Sequence, residues 1–135
     1  MANELLAEEG ADQLVSATRA AAGDSLRSVT YFTRTDFEQV YLREDLQQDA
    51  DLASFIGNEW HGFETTEGVY EESELGAYQY TLRSFENGYL LRVTTDRVGV
   101  FITTDGLTLV DFEAVASALS ELLEGWEAEG PPAPE

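Results

Sequence analysis

The chain has no cysteine, no lysine, one histidine and three prolines in 135 residues. Without cysteine there is no thiol nucleophile, disulfide, iron–sulfur cluster or thiolate zinc site. Without lysine there is no Schiff-base chemistry and no phosphate-loop lysine. The one histidine, His61, supplies neither a zinc triad nor the paired histidines of a metalloprotease helix. Long apolar runs are missing as well. The longest are short pieces such as Val98-Gly99-Val100-Phe101-Ile102, so no segment is expected to span a bilayer. Met1-Ala2-Asn3-Glu4 lacks the basic start and apolar stretch of a signal peptide, and the expected location is the cytoplasm.

What is abundant is acid. Twenty-seven Asp and Glu face seven basic residues, all of them Arg, for a formal net charge of −20 on 14.9 kDa. A folded protein of this mass exposes on the order of 7,000 Å², so the net charge amounts to roughly one per 350 Å². The hydrophobic content of 43% and aromatic content of 11% rule out the composition of a disordered acidic chain. High ionic strength reconciles a core with this much repulsion, because the Debye length falls to ~3 Å at 1 M salt. The loss of lysine fits the same setting, and the expectation is a cytosolic protein of a halophile. The charge argues against a nucleic-acid backbone and against anionic membranes as partners.

The length fits one domain, expected over residues 3–126, with an acidic Pro-rich tail at 127–135 expected to be disordered. Leu5, Leu6, Leu14, Val15, Ala21 and Ala22 mark an amphipathic helix from about residue 3 to 22, closed by Gly23-Asp24, with Gly10 inside it. Val29–Thr33 and Phe37–Leu42 read as a hairpin around Arg34-Thr35. Asp45 reads as the cap of a second helix over 46–60, and 61–74 as an acidic loop with a short strand near Val69-Tyr70. Tyr78–Phe85, Tyr89–Thr95 and Arg97–Thr103 read as three strands, the first two joined by Asn87-Gly88. Asp111 reads as the cap of a last helix running to Trp126. The expected fold class is α+β, a five-stranded, mostly antiparallel sheet with helices packed on it.

The element order helix-strand-strand-helix-strand-strand-strand-helix is similar to the roadblock/dynein light chain domain, and more loosely to longin, profilin and GAF-type sensor domains. A second resemblance rests on Ser28-Val29-Thr30-Tyr31-Phe32-Thr33-Arg34, Tyr41-Leu42-Arg43-Glu44-Asp45-Leu46, Phe85-Glu86-Asn87-Gly88-Tyr89 and Gly99-Val100-Phe101-Ile102-Thr103-Thr104-Asp105. These stretches resemble a family of short acidic haloarchaeal proteins. That likeness implies the halophilic setting and brings no activity with it.

The search for chemistry yields little. Asp49-Ala50-Asp51 begins like a calcium loop, but Ser54 stands where the loop needs glycine. Glu71-Glu72-Ser73-Glu74 reads as a solvated loop, and Thr103-Thr104-Asp105-Gly106 as a turn. Gly57, Gly62, Gly99 and Gly106 do not compose a phosphate-binding loop. No catalytic residue, metal site or cofactor is expected.

One constellation remains. With Asn87-Gly88 as a two-residue turn, Arg83 pairs directly with Arg92 and Phe85 with Leu90. One sheet face then carries Tyr80, Leu82, Leu91, Val93, Val98, Val100 and Ile102. The other carries Phe85, Leu90 and Phe101 beside Arg83 and Arg92. Directly opposed arginines repel, so each should reach a carboxylate of this chain, or an anion or partner, and Arg83 and Arg92 are the candidate binding residues. The expected function is a non-enzymatic interaction or regulatory module of roadblock type, whose protein partner includes a second copy of itself. The alternative is a small-molecule sensor of GAF or profilin-like type with a pocket between sheet and loop 61–74.

Overall fold

Helix α1 spans Glu8–Ala22 in the computed structural model, which describes residues 6, 8–33, 37–44, 74–75, 78–95 and 98–129. Glu8 and Glu9 lie in its first turn and Arg19 in its last, each matching the sign of the helix dipole. Its buried residues, Gly10, Leu14, Thr18 and Ala22, recur every four positions and make one stripe. Gly10, a poor helix former by propensity, belongs to this buried stripe. The Thr18 hydroxyl is satisfied locally, donating to the Leu14 carbonyl at 2.7 Å. Gly23 ends the helix with φ of 60°, a left-handed conformation that favours glycine, and a 3₁₀ turn follows over Gly23–Ser25. Leu6 lies outside α1, contrary to the expected start. It is buried, and its N–H donates to Glu38 Oε1 at 3.0 Å instead of joining the helix ladder.

Among the described residues five strands follow: β1 Leu26–Thr33, β2 Phe37–Leu42, β3 Thr81–Phe85, β4 Gly88–Thr94 and β5 Val98–Thr104. They form one antiparallel sheet in the order β2-β1-β5-β4-β3. Irregularities at Val29/Thr30 against β2 and at Leu26/Ser28 against β5 bend β1 between its neighbours. Helix α2, Leu109–Glu129, closes the chain and runs past the expected end at Trp126. Thr108, not Asp111, caps it: Thr108 Oγ1 accepts from Asp111 N–H at 3.1 Å, and the Thr108 carbonyl accepts from Phe112 N–H. Asp111 sits in the first turn, where its charge meets the positive end of the helix.

The main core lies between one sheet face and helices α1 and α2. Val29, Tyr31, Leu91, Val93, Val100 and Ile102 meet Leu14 of α1 and Val115, Leu119, Leu123 and Trp126 of α2. Tyr31 and Trp126 pack edge to face with centroids 6.0 Å apart. Tyr80, Leu82 and Val98 pack at the margin, so the expected core face is the observed one. The opposite face has its own cluster of Phe32, Leu90 and Phe101, joined by Phe37 and Tyr78. The helix expected over 46–60, the strand near Val69-Tyr70 and most of the 61–74 loop lie outside the described residues, as do His61, Asp49 to Asp51 and positions 130–135.

Candidate functional site

The β3–β4 hairpin sets the geometry of the second face. Its turn is Glu86-Asn87, with Phe85 opposite Gly88, and not Asn87-Gly88. The reason lies in Gly88, which is a strand residue because β4 comes very close to β5 there. A Cβ on Gly88 would lie 2.4 Å from the Thr104 carbonyl oxygen, so glycine is required for approach rather than for a turn with positive φ. The register moves with the turn: Arg83 pairs with Leu90, and Arg92 with Thr81. Arg83 and Arg92 are therefore diagonal neighbours on one face, not a directly opposed pair. The next turn shifts in the same way, placing Thr94 opposite Gly99 and Arg92 opposite Phe101. Every residue keeps its expected face.

The two arginines have different surroundings. Arg83 is exposed on β3, an edge strand. Arg92 is 1% exposed, on β4 inside the sheet. Its Nη2 donates to Thr81 Oγ1 at 2.8 Å and to the Tyr78 hydroxyl at 3.2 Å. Those two hydroxyls share a hydrogen bond of 2.6 Å, and the guanidinium stands 5.8 Å from the Tyr78 ring centroid. Hydroxyl acceptors for a buried guanidinium were not foreseen from the sequence. Gly99 faces Thr94 under the Phe32 ring, and a Cβ there would meet Phe32 Cζ at 2.6 Å and Thr94 Cγ2 at 2.7 Å. Packing accounts for this glycine.

The sequence also missed Asp105, which joins three strands at one corner of the sheet. Arg43, just after β2, donates to its Oδ2 at 2.7 Å, and Arg27 of β1 to its Oδ1 at 3.1 Å. Arg43 also donates to the Asp24 carbonyl, while Asp105 N–H donates to Ser25 O. Arg43 first, with Arg27 adding to it, holds the Asp105 carboxyl below its ordinary value against a smaller opposing effect of burial. No local motif announces this contact, because its partners come from opposite ends of the chain. Only the sheet order brings them together.

Two concavities lie at the two ends of the β3–β4 hairpin. A groove of about 810 Å³ runs between Tyr78, Gln79, Tyr80 and Thr94 on one side and Glu113, Ser117, Ser120, Glu121 and Glu124 of α2 on the other. A smaller hollow of about 340 Å³ lies at the turn end of the hairpin, lined by Arg27, Phe85, Glu86, Asn87, Gly88, Tyr89, Leu90 and Thr103. Among the described residues no group of three or more His, Cys, Asp or Glu is arranged to hold a metal ion, and no helix is long and apolar enough to cross a membrane.

The family described as a domain of unknown function, DUF7522, matches residues 12–124. The chain belongs to that family. No curated protein matches it in sequence. Among solved structures it is similar to an MglB with a tetrameric arrangement, at 13% identity and a TM-score of 0.61, over 93% of this chain and 98% of the other. It is similar also to the gliding protein MglB from Thermus thermophilus, at 12% identity and a TM-score of 0.61, over 93% and 99%. The Myxococcus xanthus MglB gives 12% identity and a TM-score of 0.60 over 90% and 95%. These are roadblock-fold proteins, and this member of the DUF7522 family has the roadblock fold.

Proposed function

We propose that the chain is a non-enzymatic regulatory module that works by protein association, first with a second copy of itself, in the cytoplasm of a halophile. The observation that carries the reading is its likeness, over nearly its whole length, to MglB structures, one of them tetrameric. The described sheet supports it. Among the described residues β3 ends the sheet, and Arg83, Ser84 and Phe85 on it are exposed, whereas β2 at the other edge is half-buried throughout. An open edge strand offers unpaired backbone groups to another chain. Composition supports the setting, with its −20 charge and absence of lysine.

Light scattering on purified protein in molar KCl tests the reading. A dimer or higher assembly is expected at micromolar concentration, and Arg83→Asp combined with Ser84→Asp is expected to shift it to monomer with an unchanged circular dichroism spectrum. A wild-type monomer at all concentrations up to the millimolar range overturns self-association. The groove lined by Tyr78, Tyr80 and Glu113 favours the second reading, a sensor of small molecules. It extends to Tyr78 but is not lined by Arg83, and Tyr70, the other residue expected at a sensor pocket, lies outside the described residues.

A further inference from the structure

Charge and shape coincide in the hollow at the turn end of the hairpin. Two guanidinium groups, Arg27 and Arg43, converge on the carboxylate of Asp105 at this corner. Arg43 takes the shorter bond to Asp105, at 2.7 Å against 3.1 Å for Arg27. Arg27 gives Asp105 only Nη1, leaving Nη2 and Nε of its fork for another acceptor. Its side chain is about a quarter exposed and lines the hollow, with Cδ 3.6 Å from where a Gly88 Cβ would stand. Opposite this cation the wall is apolar, made by Leu90 and by Phe85, a residue 54% exposed although it is a large aromatic. Asn87 and Thr103 add an amide and a hydroxyl. The volume of about 340 Å³ is at the small end of the range for ligand sites.

We propose that this hollow binds a monocarboxylate with an aromatic or branched apolar body, the carboxylate on Arg27 and the body on Phe85 and Leu90. A planar carboxylate matches the side of the Arg27 fork turned away from Asp105. The apolar body covers the exposed Phe85 ring. Glu86, exposed at the rim, sets the limit at one negative charge, since a second carboxylate on the ligand would face it. The same chemistry is offered by a free acid and by the C-terminus of a peptide ending in an apolar residue. The site shares Phe85 with the β3 edge read for association, and its test reads ligand-induced shifts rather than oligomeric state.

The experiment is a nitrogen-15 correlation titration of the full chain in 1 M KCl with potassium phenylacetate, and in parallel with phenylacetamide. Two further arms use a short peptide ending in phenylalanine, with a free or an amidated C-terminus. Saturable shifts confined to Arg27, Thr103 and residues 85–90 are expected with phenylacetate, at least tenfold weaker with the amide. Tighter binding by the free-ended peptide than by phenylacetate assigns the source to a chain terminus, and the reverse assigns it to a free acid. Arg27→Gln should abolish the shifts. Because it also breaks a contact of Asp105, its correlation spectrum is first checked against wild type. Phe85→Ala, at an exposed position, keeps the fold and should weaken binding several-fold. Equal affinity for acid and amide, or shifts dispersed away from the hollow, would overturn the proposal. So would wild-type affinity in Phe85→Ala together with Arg27→Gln.

Discussion

Asp105 carries two arginines, and that burden is readable in the pH dependence of stability. Its folded value lies below the ordinary 3.8, so its contribution is complete above the unfolded value and is lost as pH falls through the folded one. Asp105→Asn should cost about 1 kcal/mol near neutral pH, a figure suited to a half-exposed cluster. In denaturant melts the difference from wild type should stay constant from pH 8 to about 5 and shrink below about 4. Arg92 and Arg83 should separate just as clearly. Arg92→Gln removes a buried guanidinium from Thr81 and Tyr78 and should cost about 2–4 kcal/mol. Arg83→Gln, at an exposed position, should stay within about 0.5 kcal/mol. The sequence placed both arginines on one face because side chains alternate along a strand whatever the register. It could not tell the buried one from the exposed one, since that depends on which strand lies at the edge.

Two glycines fix the registers of the sheet. Gly88→Ala drives a methyl group into the Thr104 carbonyl, and backbone there has nowhere to retreat. It should cost about 2–3 kcal/mol. Gly99→Ala meets the rim of the Phe32 ring, so Phe32→Leu in the same chain should recover part of the loss. A double-mutant cycle in guanidinium melts checks the coupling. At this scale hydrophobic alternation made both sheet faces legible, including the second cluster of Leu90 and Phe101. The turns were less so. Asn87-Gly88 carries the strongest hairpin signal available to a sequence, yet here close approach of β5 claims the glycine for the strand. Thr108 was overlooked for a similar reason: both it and Asp111 are good caps, and only the point at which the chain leaves the sheet decides between them.

Over the whole molecule, 8103 Å² of accessible surface bears the net charge of −20. Screening that repulsion should raise the melting temperature strongly between roughly 0.1 and 2 M KCl, and calorimetry across that series checks it. A melting temperature indifferent to KCl would remove the halophilic reading. The order of the described elements was legible, and with it the roadblock likeness; the strand order was not, because alternation says which face a residue takes and nothing about which strand is its neighbour. That order has a consequence during synthesis. Among the described strands β5 is the last made, lies in the middle, and joins the β1–β2 pair to the β4–β3 pair. Until residue 104 has left the ribosome, β1 and β4 each present an open edge with apolar side chains on both faces. The nascent chain is thus two half-sheets that can pair with strangers, and a strongly acidic exterior is the repulsion that would keep neighbouring chains on a polysome apart.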